Sequence, residues 1–78
     1  MNQITVAATV DARGLACPMP VVKTKKALDA LKSGDVLELL ATDKGSAKDL
    51  QAWVRTGGHQ MLESRVEDGV FTFYIKKG

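Results

Sequence analysis

The sequence VLELLAT, residues 36–42, is apolar at nearly every position and stands between two stretches with helical periodicity. Such a run is typical of a strand that is buried on both faces of a sheet. We therefore predict a strand at residues 36–42 that is buried on both faces or close to it, and the elements on either side are assigned outward from it.

A helix and a strand are predicted upstream of this run. Residues 4–10, ITVAATV, are rich in β-branched residues and indicate a strand. Residues 18–32 show the three- and four-residue spacing of an amphipathic helix, and Gly34 marks its end. The core-facing stripe of that helix contains Val21, Thr24, Leu28 and Leu31.

A second helix and two strands are predicted downstream. The helix begins near Ser46, where Asp49 three residues later resembles a capping box, and it ends at Gly57-Gly58. Its apolar face consists of Leu50, Trp53 and Val54. Strands follow at about 59–66 and 70–76, and Asp68-Gly69 between them indicates a hairpin turn.

The predicted order is therefore β-α-β-α-β-β. Crossover helices imply parallel pairing, while the final hairpin adds an antiparallel strand. Each helix has one apolar stripe, so both can cover the same side of the sheet. The fold class is an α/β (α+β) two-layer sandwich, with a four-stranded mixed sheet covered on one face by two helices.

Length and composition limit the class of protein. The 78 residues predict a single domain over 1–78, and 45% apolar with 26% charged residues is typical of a soluble globular protein. A net charge of +2 is too small to argue for direct nucleic-acid binding. No apolar run approaches a membrane span, and the first residues lack a signal-peptide pattern. With one cysteine and no internal disulfide, we expect a cytoplasmic location.

The single cysteine, Cys17, lies where the first loop meets the first helix, and prolines follow at 18 and 20. A lone cysteine is often a small core residue. At a helix N-terminus, however, unpaired N–H groups would stabilise a thiolate. We therefore predict that Cys17 caps this helix, that Pro18 occupies its first position, and that Pro20 lies within its first turn.

Four residues of the first helix fall on the side opposite its core stripe: Met19, Val22, Lys23 and Lys26. Apolar groups ringed by lysines beside a thiol form a candidate docking patch for a partner. A solvated helix face is the alternative interpretation. Arg13 in the preceding loop is a further candidate, with a plain surface arginine as its alternative.

A single cysteine can support only a few kinds of chemistry. A dithiol oxidoreductase needs a C-x-x-C pair, which is absent. Cys17 and His59 together fall short of a metal site, and nothing in the sequence brings His59 to the thiol. We therefore predict no metal and no cofactor. Carrying a sulfur atom as a persulfide needs only one exchangeable thiol.

The loop around the cysteine resembles the signature of the TusA-like (SirA-like) sulfur-carrier family. The matching residues are Asp11, Gly14, Leu15, Cys17, Pro18, Pro20 and Val21, and the match also includes Asp43 after the second strand. The resemblance covers essentially the whole chain. It implies a fold like the C-terminal domain of translation initiation factor three, with strand order 1-2-4-3 and strand 4 antiparallel. It also implies that Cys17 is the persulfide carrier, positioned by the Gly-Leu and Cys-Pro-x-Pro elements.

Two positions depart from the best-known family pattern. Ala16 stands where arginine is frequent, and Met19 where glutamate is frequent. The resemblance implies a sulfur-donor protein, such as a cysteine desulfurase or a rhodanese, and a sulfur-acceptor protein, with the chain itself monomeric. It implies a sulfurtransferase component rather than a stand-alone enzyme. The pathway stays open among tRNA thiolation, sulfur oxidation and cofactor biosynthesis.

Two functions of other classes are also compatible with the residues. The lysine face could serve a non-catalytic RNA- or protein-binding regulatory module, although exposed aromatic residues are scarce. Cys17 could also act as a thiol redox sensor through sulfenic acid.

Overall fold

The computed structural model describes residues 5–78 and has the predicted element order. The elements are β1 (Ala8–Ala12), α1 (Met19–Asp29), β2 (Val36–Ala41), α2 (Lys44–Thr56), β3 (Gln60–Glu67) and β4 (Val70–Lys76). Neither of these helices is long and apolar enough to cross a membrane.

The four strands form one sheet in the order β1-β2-β4-β3. β1 pairs with β2 in parallel, and β4 runs antiparallel to both β2 and β3. The strand order and the mixed pairing expected from the resemblance are confirmed. The β3–β4 turn is also as predicted, because Asp68 and Gly69 both have positive φ, at 51° and 78°.

β1 lies further along the chain than predicted, closer in sequence to α1. The predicted strand at 4–10 begins with a residue outside the described range, and the observed strand extends to Ala12. Asp11 and Ala12 pair with the last two residues of β2, and Ala12 is fully buried. Register with β2, rather than β-branched composition, therefore decides where β1 ends.

The core lies between the sheet and the two helices. Its largest buried side chains are those of Leu28, Leu37, Leu39, Leu50, Val54, Phe73 and Ile75. Both helices cover the same face, as predicted, with Leu28 from α1 and with Leu50 and Val54 from α2.

The prediction of a strand buried on both faces, or close to it, is met fully on one face only. Alternate residues of β2 are buried, and the residues between them are only half-buried. Glu38 lies on the uncovered face, where Thr9 Oγ1 donates to it at 3.2 Å and the Tyr74 hydroxyl donates at 2.7 Å. Because both helices pack on the opposite face, the face that carries Val36, Glu38 and Leu40 is only half-buried.

Both helices differ at one end from their predicted bounds. α1 ends at Asp29 rather than 32, because Ala30 and Leu31 bond to carbonyls three residues back in a tighter turn. α2 begins at Lys44 rather than Ser46. The capping box of Ser46 and Asp49 is therefore wrong, and Asp43 caps α2 by accepting the Ser46 N–H at 2.8 Å.

Truncating Leu39 tests the position of the core. Leu39→Ala removes a fully buried side chain from a central strand, and we expect a loss of about 2–5 kcal/mol in the free energy of unfolding. Val66→Ala is the control, because Val66 is 63% exposed on β3 and should cost about 0.5 kcal/mol. Denaturant unfolding of both variants makes the comparison, and equal losses would contradict the described core.

Candidate functional site

The loop between β1 and α1 is fixed to the body of the protein by its backbone. Gly14 has φ +79°, a conformation that side chains disfavour, and its N–H donates to Thr42 Oγ1 at 2.9 Å. The Leu15 N–H donates to the Ala12 carbonyl at 3.2 Å, while its half-buried side chain packs against the core. Gly14 and Leu15 therefore hold the loop in place ahead of the cysteine.

The start of α1 differs from the prediction by one residue. Pro18 is the N-cap residue and Met19 is the first helical residue, so Pro18 does not occupy the first position. Pro20 lies within the first turn, as predicted. It is buried, and its carbonyl accepts from Thr24 Oγ1 at 2.8 Å. The Cys17–Pro18 peptide bond is cis.

Cys17 does not cap α1, contrary to the prediction. It precedes the N-cap residue, and no side chain caps this helix. The thiol is exposed, which excludes the core interpretation. Its Sγ lies 3.7 Å from Oδ2 of Asp49, a residue of α2 that is 32 positions further along the chain. The sulfur therefore faces a carboxylate of the second helix rather than the N–H groups of the first.

A second carboxylate caps the helix that carries Asp49. Asp43 accepts the backbone N–H of Ser46 at 2.8 Å, which is the main reason that its pKa lies below the ordinary value, and the nearby Cys17 backbone N–H makes a smaller contribution in the same direction. The start of α2 therefore lies next to the cysteine loop.

The helix positions proposed for docking are all exposed. Met19 and Val22 are 44% and 43% exposed, and Lys23 and Lys26 are exposed as well. The buried side of the helix carries Thr24 and Leu28 of the predicted stripe, so the predicted direction of this face is correct. The partner of the sulfur itself, however, is a carboxylate and not a lysine.

Arg13 is engaged by a neighbour in its own loop. Its Nε and Nη2 donate to the two carboxylate oxygens of Asp11 at 2.9 and 2.8 Å. This contact is the main cause that lowers the pKa of Asp11 to about 2, with a small contribution from the charge of Lys23. Arg13 is therefore a paired surface arginine, not a free cation directed at the thiol.

His59 takes part in a different set of contacts. Its ring lies 5.6 Å from that of Trp53, and its Nδ1 accepts the Gly78 N–H at 3.1 Å. Over residues 5–78 there is no group of three or more side chains suited to hold a metal ion.

Sequence reasoning named Asp43 and Asp49 but did not assign either of them to the surroundings of Cys17. The capping role of Asp43 could have been found, because an aspartate directly after a strand and three residues before a serine is an N-cap pattern. Asp49 had no such signal. Only the packing of α2 beside the loop brings it to a residue 32 positions away.

Comparison with known proteins places this site in a family context. A family model described as "Sulfurtransferase TusA" matches residues 8–77. The chain is 55% identical to the "Putative sulfur carrier protein YrkI" of Bacillus subtilis over 69 residues, which is 88% of this chain and 92% of that protein. It is 48% identical to the "Sulfur carrier protein TusA" of Allochromatium vinosum over 68 residues, 87% of this chain and 90% of that protein.

A solved structure is also similar. The crystal structure of a SirA-like protein from Desulfitobacterium hafniense superposes with a TM-score of 0.80 at 36% identity. The match covers 91% of this chain and 97% of that one.

Replacing the carboxylate that caps α2 should destabilise the protein. Asp43→Ala removes the acceptor of the Ser46 N–H, and we expect the melting temperature to fall by a few degrees at neutral pH. Because the folded pKa of Asp43 is lowered, its contribution is present above the ordinary value of 3.8 and is lost as the pH falls through the folded value. The gap between wild type and variant should therefore close in acid.

Asp29→Ala is the matched control for this prediction. Asp29 is an exposed aspartate at the end of α1, 3.9 Å from Lys25, so its loss should change the melting temperature little. Thermal melts over a pH series measure both variants. An Asp43→Ala protein as stable as the control at neutral pH would show that the cap does not stabilise the protein.

Proposed function

Because the chain belongs to the Sulfurtransferase TusA family, we propose that it is a sulfur carrier that accepts a sulfur atom as a persulfide on Cys17 and relays it to a partner protein. One observation supports this most directly: Cys17 is the sole cysteine of the chain and is exposed at the end of a loop fixed by its backbone. The two relatives described above carry sulfur-carrier names, which support the same role.

The transfer requires one thiol and no external oxidant. Sγ of Cys17, as the thiolate, attacks the outer sulfur of a donor persulfide. A new S–S bond forms on Cys17 as the donor's S–S bond breaks, and the electron pair leaves on the donor's inner sulfur as a thiolate. Onward transfer repeats this exchange with an acceptor thiolate attacking the outer sulfur on Cys17. Rates depend on thiolate fraction, leaving group and access.

The four motif residues act as positioning residues in this proposal. Gly14 and Leu15 anchor the loop, as described above. Pro18 and Pro20 restrict the backbone on either side of Met19 because a proline ring fixes φ. The thiol is thereby presented at one place on the surface, where a partner's sulfur can approach it.

We assign partner docking to the exposed start of α1, formed by Met19, Val22, Lys23 and Lys26, and call it the α1 face. Met19 offers a flexible apolar contact two residues from the thiol, and the lysines would steer a partner with acidic groups around its own cysteine. Arg13 contributes less charge to docking than the lysines, because Asp11 already pairs with it.

The partners in this proposal are proteins. The donor is a cysteine desulfurase or a rhodanese, and the acceptor is a protein of tRNA thiolation, sulfur oxidation or cofactor biosynthesis. A reducing cytoplasm suits a free thiol that must stay exchangeable. In that setting we expect a monomer with a single domain, a component of a relay that turns over only with its partners.

Replacing the cysteine separates folding from function. Cys17→Ser changes an exposed atom outside the core, so the variant should melt close to the wild type. Both proteins are incubated with a cysteine desulfurase and cysteine and then weighed intact by mass spectrometry. The wild type should gain one sulfur atom that a reducing agent removes, and Cys17→Ser should gain none.

Two results would contradict the proposal. A wild-type protein that gains no sulfur from either a desulfurase or a rhodanese would remove the carrier role. A sulfur adduct on Cys17→Ser would place the sulfur on another group.

The α1 face is tested by charge reversal. Lys23→Glu combined with Lys26→Glu should slow sulfur transfer through slower association, and the effect should be larger at low salt than at high salt. The control is Lys32→Glu combined with Lys76→Glu, which makes the same charge change at exposed positions away from the α1 start. The rates of sulfur transfer of both double variants are compared at two salt concentrations. Equal rates for both double variants would place docking elsewhere.

A further inference from the structure

The contact between Cys17 and Asp49 has the geometry of a thiol bonded to a carboxylate. Sγ lies 3.7 Å from Oδ2 with the sulfur as the donor. An ionised carboxylate can only accept a hydrogen bond, and a thiolate has no hydrogen to donate. This arrangement is therefore satisfied only while Cys17 carries its proton.

Loss of that proton would place two negative charges side by side. At about 4 Å a like charge disfavours an anion by about fivefold even at the dielectric constant of water, and by more near a protein surface. The thiolate, rather than the thiol, is the nucleophile in sulfur exchange and in reactions with electrophiles and oxidants. The carboxylate thus opposes the reactive form of the residue that carries the sulfur.

The other charged groups described around the loop have partners of their own. Asp43 has the same sign as Asp49 and accepts the backbone N–H of Ser46. Arg13 is paired with Asp11, and the charge of Lys23 acts on Asp11. Asp49 is therefore the charged side chain that contacts the sulfur itself.

We propose that Asp49 is a positioning residue that restrains the reactivity of Cys17. Its negative charge, held against the sulfur, slows the reaction of Cys17 with small electrophiles and oxidants. This inference rests on the proposed function, because it concerns the regulation of a thiol that carries sulfur. In the loaded state the negative charge moves to the outer sulfur, about 2 Å further out along the S–S bond, so the restraint is weaker on the persulfide than on the empty thiol.

The inference is tested by the rate of alkylation at neutral pH with two reagents, neutral iodoacetamide and anionic iodoacetate. Asp49→Asn keeps the size of the side chain and removes its charge. We expect it to react about fivefold faster with iodoacetamide, and by a larger factor with iodoacetate, because the carboxylate also repels that reagent. Asp49→Glu, which retains the charge, should stay close to the wild-type rate.

Asp29→Asn is the matched control, with the same loss of charge at an exposed position of α1. It should react at the wild-type rate with both reagents. Asp49→Ser serves as a second neutral variant, and equal melting temperatures show that the fold is unchanged. Hydrogen peroxide should likewise form sulfenic acid faster in both neutral variants.

Either of two outcomes would overturn the inference. Neutral variants that react no faster than the wild type would show that the carboxylate does not restrain the thiol. Slower reaction would show that Asp49 assists removal of the proton instead. Alkylation uses no sulfur donor, so its result does not depend on the proposed function. A wild-type protein that gains no sulfur would overturn the relay, whereas the alkylation rates would still test whether Asp49 restrains the thiol.

Discussion

The start of α2 depends on one carboxylate, that of Asp43, which caps the helix by accepting the Ser46 N–H at 2.8 Å. The strand β2 ends just before Asp43, so the helix begins at the end of the sheet where the β1–α1 loop also lies. From this start α2 brings Asp49 to 3.7 Å from Sγ of Cys17. The surroundings of the sulfur are therefore set by the packing of α2 on the sheet and not by the loop sequence alone.

The order and topology of the elements could be predicted because each has a strong local signal. Hydrophobic periodicity identified α1, and Asp68-Gly69 identified the last hairpin. The ends of the elements were harder to predict, since β1 extends to Ala12 through its register with β2. Asp49 shows the limit for the site: a local pattern suggested a cap, while the contact with Cys17 arises only from tertiary packing.

The electrostatics of the site differ from a simple basic patch. The expected lysines lie on the exposed side of α1, but the charged group that contacts Sγ of Cys17 is the carboxylate of Asp49. In the proposals made above, long-range attraction and local reactivity are therefore separated in space. The lysines would attract an acidic partner, while the carboxylate beside the sulfur would restrain its reactions. Such an arrangement would protect an exposed thiol from oxidation. In this chain the protection matters because there is no second cysteine that could form an internal disulfide with Cys17.

In the proposed relay, Cys17 both accepts and releases a sulfur atom. The most direct measurement follows one isotopically labelled sulfur from a desulfurase onto the protein, and then onto an acceptor thiol after the donor has been removed. We expect the label to appear in the peptide containing Cys17 and to leave it stoichiometrically when the acceptor is added. A label that never reaches Cys17, or that stays there in the presence of the acceptor, would rule out the relay.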